Sequence, residues 1–317
     1  MDIALHSLQM LAGFALLTFG ANWLVNGGSL LALRIGISTT VVGLTVMAFG
    51  TSMPELTVNV TSAVSGSTGI ALGNILGSNI ANIALILGAT ALISPMTVHE
   101  DFLGRDFLWM FGASLALFLL MLDGRLDWYE GLVFLVLGLA YTWRLVRTGQ
   151  VPEAEAAKDA AGRDPRMLWR NIGLVALGLA ALMGGGKLCV DSAISFAHLF
   201  GMSERVIGLT VIAVGTSLPE FAASLVAALK GKSEMAIGNI IGSNIFNILL
   251  ILGVTSLIRP IEAVVDFRYF IDMAVMLGVT LLLWPLMRTG MRLVRLEGAL
   301  LFSIYAGYIG YLLFLAG

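Results

Sequence analysis

Cysteine occurs once in these 317 residues, at position 189, and histidine three times, at positions 6, 99 and 198. One thiol excludes an intrachain disulfide and any thiolate metal cluster. Three scattered imidazoles give no basis for a histidine metal or acid–base site. Charge is scarce as well: Asp, Glu, Lys and Arg make up 12% of the chain, against about 25% in average soluble proteins. So little charge cannot cover a water-facing surface. No Ser/His/Asp set, HExxH helix or phosphate-cradling loop is present, so an enzyme is not expected. Nothing points to nucleic acid or to an obligatory protein partner. No basic cluster precedes the first apolar run and no convincing small-residue cleavage site follows it, so a removed signal peptide is not expected.

What is abundant is apolar sequence, 58% of the chain. Ten stretches are long enough to cross about 30 Å of hydrocarbon. They lie near 8–33, 40–63, 69–93, 104–122, 127–146, 169–196, 204–228, 235–258, 268–286 and 296–316. The expected fold class is therefore all-α, a polytopic membrane protein of ten transmembrane helices with the lipid bilayer as its solvent.

A duplication organises these spans. Residues 43–95 align with 208–260 at a constant offset of 165, with about 30 of 53 positions identical and no gap. The likeness continues outside this block. Gly20 matches Gly185, Asp101-Phe102 matches Asp266-Phe267, and, after a two-residue slip, Glu130-Gly131 and Tyr141 match Glu297-Gly298 and Tyr308. Residues 1–147 and 169–317 thus read as two repeats of five spans, joined by the polar linker 148–168. An odd number of spans per repeat makes the second repeat enter from the opposite face, so the two are inverted.

With the amino terminus outside, thirteen of the basic residues, including Arg34, Arg144, Lys230 and Lys232, fall on the cytoplasmic side. Four, Arg125, Arg205, Arg259 and Arg268, fall opposite, and Lys187 sits within a span. The positive-inside rule then places both termini outside.

Each repeat carries one glutamate in apolar surroundings, Glu55 and Glu220. Thr51 and Thr216 precede them by four residues and share their helix face. Ser78 with Asn82, and Ser243 with Asn247, repeat the spacing one span later. Pro54 and Pro219 cannot donate to the carbonyls of Gly50 and Gly215, which opens that turn and aims carbonyls around Ala48 to Thr51 and Ala213 to Thr216 into a site. Two carboxylates, two amides, hydroxyls and carbonyls form an all-oxygen set suited to hard cations. Two facing carboxylates repel unless cations or protons compensate them. One divalent ion, two monovalent ions or two protons all serve, and that competition is a physical basis for exchange.

Other polar residues admit plainer readings. Ser52 and Ser217 serve as ligands or as backbone caps of the broken turn. Asn74, Asn79, Asn239 and Asn244 suit helix packing or gate stabilisation, and Gly73/Gly77 and Gly238/Gly242 suit close helix packing. Lys187 and Asp191, four apart, suit an internal salt bridge. Asp101, Asp266, Glu130 and Glu297 fall near span ends, where capping is cheap.

The paired blocks GTSMPE…GNILGSNIAN and GTSLPE…GNIIGSNIFN resemble the two alpha-repeats of the calcium/cation antiporter superfamily, in particular its prokaryotic sodium/calcium exchangers. The resemblance runs through the whole chain. It implies calcium extrusion driven by sodium entry, by alternating access, in a prokaryotic inner membrane and without a cofactor. By matching positions, calcium would be held by the carboxylates of Glu55 and Glu220 and the carbonyls of Thr51 and Thr216. Sodium would use the Thr51 and Thr216 hydroxyls, Ser78, Ser243 and the carbonyls of Ala48 and Ala213, with Asn82 and Asn247 completing the middle site. The family also implies that spans one and six slide as a pair, for which Gly20, Gly27, Gly28 and Gly184 to Gly186 provide small surfaces. Some relatives carry aspartate where this chain has Asn247; the amide argues against potassium co-transport. Residues 148–168 are too short for the calcium-sensing domain of animal exchangers. A proton-coupled cation exchanger is the alternative, with a cation channel a further one.

Overall fold

The apolar stretches are helical wherever the computed structural model describes them, over residues 2–149, 165–199 and 213–314. In chain order the helices are α1 (Asp2–Ile35), α2 (Thr39–Thr51), α3 (Met53–Ser65), α4 (Thr68–Ile93), α5 (Phe102–Asp123), α6 (Trp128–Thr148) and α7 (Pro165–Leu199). A short Ala213–Gly215 helix leads into α8 (Leu218–Leu229), α9 (Ser233–Ile258), α10 (Phe267–Met291) and α11 (Arg295–Phe314). Eight of these are long and apolar enough to cross a membrane, and the bent pair α2–α3 makes a ninth. The expected stretch 204–228 and the linker 148–168 lie partly outside the described residues.

The acids expected at span ends do cap them. Asp127 and Glu130 form a capping box at the start of α6. Asp266 accepts from the Tyr269 N–H (2.8 Å), and Glu297 from the Val294 N–H (2.8 Å). Asp101 instead lies 3.9 Å from Arg105.

α4 and α9 form the centre, with 78% and 83% of their apolar windows buried, against 17% for α1 and 22% for α11. They bring the two halves together crosswise. Gly88 on α4 meets the backbone of α11 at Gly298, and Gly253 on α9 meets α6 at Gly131. Two short antiparallel pairs follow the same rule. β1 (Met96–Thr97) pairs with β4 (Arg292–Leu293), and β2 (Arg125–Leu126) pairs with β3 (Ile261–Glu262). Within each half, a tyrosine ties the last helix to its predecessor: Tyr141 donates to Asp106 (3.4 Å) and Tyr308 to Asp272 (2.8 Å).

α1 and α7 pack antiparallel along their length. Gly13 faces Gly185, Gly20 faces Gly178 and Gly27 faces Asn171, a contact every seventh residue. Without side chains at these positions the backbones approach closely, as in small-residue membrane seams. Gly13 and Gly178, counterparts at the offset of 165, complete the row begun by Gly20, Gly27 and Gly185. Gly184 takes no part, since nothing lies within 4 Å of it among the described residues.

Two other expectations are corrected. Lys187 and Asp191 form no ion pair with each other; both are exposed and line a cavity beside Thr216, and holding two long side chains in one geometry gains little. Gly238 and Gly242 do pack onto the α2 backbone at Thr40, Gly43 and Leu44, but their counterparts Gly73 and Gly77 meet nothing within 4 Å among the described residues.

Candidate cation site

Both halves break a helix at the same place. α2 ends at Thr51, Ser52 leaves the helical region (φ −82°, ψ 10°), and α3 restarts with Pro54 in its first turn after a 44° bend. Ser217 repeats this (φ −91°, ψ 7°), with Pro219 in the first turn of α8. Proline is accepted there because the first-turn N–H has no helical partner anyway. Glu55 and Glu220 therefore stand in the opening turns of α3 and α8, where the helix dipole favours negative charge.

Ser52-Met-Pro-Glu55 and Ser217-Leu-Pro-Glu220 have the letters of a capping box. Neither serine caps its own helix. Each reaches instead into the other half: the Ser52 hydroxyl donates to Glu220 Oε1 (3.0 Å), and the Ser217 hydroxyl to Glu55 Oε1 (3.3 Å). Both acids are 1% exposed, and the second oxygen of each, Oε2, is buried without a hydrogen bond. No lysine or arginine pairs with either among the described residues.

α4 and α9 add the next layer. Ser78 donates to Glu55 Oε1 (3.5 Å), and Ser243 to the Ala48 carbonyl (3.4 Å). Asn82 donates to Asn244 Oδ1 (3.1 Å) and Asn247 to Asn79 Oδ1 (2.9 Å), so each half's ligand amide is fixed by an asparagine of the other. That fixes the NH₂ ends and leaves Asn82 Oδ1 and Asn247 Oδ1 buried and unpaired. π-helical turns begin at this level in both helices, Ala81–Leu87 and Asn247–Leu252. Such wide turns recur at functional sites because the inserted residue disturbs the regular backbone ladder. Asn79 and Asn244 are thus positioning groups.

The two threonines differ. Thr51 donates to Asn239 Oδ1 (3.2 Å), and Asn239 Nδ2 donates to Ser224 (2.9 Å). The buried Thr216 hydroxyl faces Glu55 but makes no hydrogen bond within 3.5 Å, and Asn74 Nδ2 and Asn59 Oδ1 are likewise buried without one. Ala213 opens the short helix before Ser217, in the position that Ala48 holds in the first half. A cavity of about 160 Å³ opens beside Thr216, lined by Pro54, Gly186, Gly215 and Pro219 with Lys187 and Asp191. A larger one, about 410 Å³, lies between α5 and α6; it is mostly apolar and shares no residue with the site.

Five oxygens at expected ligand positions therefore lack protein partners: Glu55 Oε2, Glu220 Oε2, Asn82 Oδ1, Asn247 Oδ1 and Thr216 Oγ1. Leaving a buried polar atom unpaired costs about 1–3 kcal/mol, so such a cluster is uncommon in a purely structural core. No group of three or more His, Cys, Asp or Glu placed to hold a metal ion occurs among the described residues. The cage draws its charge from two acids and the rest of its ligands from neutral oxygens, a set that fits calcium or sodium and suits soft metals poorly.

Residues 6–147 and 170–314 match the family described as sodium/calcium exchanger protein. The chain belongs to that family. CaxA of Alkalimonas amylolytica, named a putative antiporter, is 41% identical over 97% of this chain and 98% of its own. The sodium/calcium exchanger MaX1 of Methanosarcina acetivorans is 32% identical, covering 97% and 98%. A solved structure of the sodium-calcium exchanger NCX_Mj, soaked with zero Na+ and Ca2+, superposes with a TM-score of 0.85 at 33% identity, over 98% of this chain and 99% of that one.

Proposed function

We propose that this exchanger moves calcium one way and sodium the other by presenting a single site alternately to the two faces of the membrane. The observation that carries this is the crosswise bonding of Glu55 and Glu220, which leaves one oxygen of each acid unpaired among other orphaned oxygens. Calcium neutralises the acid pair in one ion; sodium does so in two or more, with extra ions held by neutral oxygens. The assignments are those of the family: Glu55, Glu220 and the Thr51 and Thr216 carbonyls for calcium. The Thr51 and Thr216 hydroxyls, Ser78, Ser243 and the Ala48 and Ala213 carbonyls serve sodium, with Asn82 and Asn247 in the middle. Ser52 and Ser217 orient the acids. The chain needs no resident cofactor, and its family is one of transporters rather than enzymes.

The arrangement is ten spans in two inverted repeats, 1–147 and 169–317, joined by 148–168, with both termini outside a prokaryotic inner membrane. Its support is the crosswise packing, the antiparallel α1–α7 pair and the loops, which sort onto two faces. Residues 38 and 149 bond to each other, as do 98 and 291, on one face; Thr68 bonds Glu262 on the other. YrbG of Escherichia coli, 36% identical over 88% of this chain, is named an inner membrane protein.

Calcium flux into proteoliposomes tests the function. An outward sodium gradient is expected to drive calcium accumulation, and a proton gradient without sodium is not. Accumulation that follows protons and ignores sodium would assign the proton-coupled alternative, and passive calcium current without a counter-ion would assign a channel.

A further inference from the structure

Building on the exchanger reading above, we propose that Asn239 and Asn74 are alternating positioning residues. Each amide holds one ligand threonine while the site is closed on its side, and only one of them holds at a time. The threonine hydroxyl has one proton to donate and two lone pairs. Giving the proton to the asparagine oxygen leaves the lone pairs for a cation, so the amide also orients the ligand.

The symmetry between the two halves is broken at this layer. Thr51, Asn239 and Ser224 have as repeat counterparts Thr216, Asn74 and Asn59, each at the offset of 165. The first set forms a complete chain, with bonds of 3.2 and 2.9 Å. In the second set the three corresponding atoms, Thr216 Oγ1, Asn74 Nδ2 and Asn59 Oδ1, are all buried without a partner. Their types match what the same chain requires: a hydroxyl donor, an amide donor, and an acceptor standing where the Ser224 oxygen stands. The cavity also opens at Thr216. A purely packing role for both asparagines explains Asn239 but gives no reason for three complementary orphans around Asn74.

The two chains are not equivalent, since an amide replaces the serine hydroxyl as the last acceptor. The two closed states should therefore differ in stability.

Cysteine reporters on a Cys189→Ala background test this in proteoliposomes, using a membrane-impermeant maleimide applied from each side. Val190→Cys lies on the cavity beside Thr216, and Thr45→Cys is buried on α2 at the closed side. The expected parent pattern is labelling of the first and protection of the second. Asn239→Leu should raise Thr45→Cys labelling about fivefold, the value of one typical hydrogen bond. Asn74→Leu should leave both labels at parent level, because its bond is not made in this state, yet slow exchange about fivefold. Asn239→Ser, too short to bridge, provides a second variant should the leucine disturb folding. Parent-level labelling in both Asn239 variants, or parent-rate exchange in Asn74→Leu, would overturn the proposal. Labelling is read without calcium, so a parent that moves no calcium sinks the exchanger reading alone.

Discussion

Ser52 donates its hydroxyl to Glu220 of the other half, across 3.0 Å, rather than to the helix it begins. With the reciprocal Ser217–Glu55 bond, each acid is oriented by a residue from the opposite repeat. Ser52→Ala or Ser217→Ala should weaken calcium binding about tenfold, since a hydrogen bond to a charged group is worth about 1.5–3 kcal/mol. Titration calorimetry at fixed sodium reads this, and unchanged affinity in both variants would reduce the crossing bonds to packing.

Glu55→Gln and Glu220→Gln each remove half of the site's charge. Two unit charges 4 Å apart attract by about 4 kcal/mol at an effective dielectric constant of 20, so sodium-driven calcium flux should fall at least on the order of 100-fold. Thermal stability in chelator should hold or rise, because a buried, uncompensated charge has been removed. Normal exchange by either variant contradicts the assigned role.

Asn247→Asp adds a third acid beside an oxygen that lacks a protein partner. Exchange should become sensitive to which monovalent cation is supplied. It should also fall more steeply as pH drops, since the added carboxyl must lose its proton to bind a cation. Flux under sodium, potassium and pH gradients measures both, and an unaltered profile would show that position 247 does not set coupling.

The α1–α7 seam offers a matched pair of substitutions. A methyl group at Gly20 would meet the Gly178 carbonyl and the Leu182 N–H at 2.9 Å, backbone atoms that cannot swing aside. Gly20→Ala should cost about 1–3 kcal/mol of stability and slow exchange. Gly184→Ala, with nothing within 4 Å, should do neither. Equal melting temperatures and equal rates for the two would remove the seam from the mechanism.

Much of this was legible in the sequence because membrane helices announce themselves by length and apolarity, and because the duplication marks the same residues twice. The proposed ligand set Glu55, Thr51, Ser78 and Asn82 with its counterparts follows from the duplication and helical spacing. Three things do not. The serines carry a capping pattern that local reading completes within one helix, while the partner lies 168 residues away. The π-helical turns after Ser78 and Ser243 depend on how α4 and α9 pack, which no local pattern encodes. The different partners of Thr51 and Thr216 are invisible because near-identical repeats cannot reveal which bond is made.

The crosswise strands and glycine contacts bear on how the chain is made. Gly88 and Gly131 find their nearest neighbours on α11 and α9, which leave the ribosome well after them, and β1 and β2 wait for β4 and β3. The first five spans must therefore remain in the bilayer as an unfinished surface until the second half is inserted. Truncated translation products would be left with bare helix grooves and unpaired strand edges, natural targets for membrane quality control.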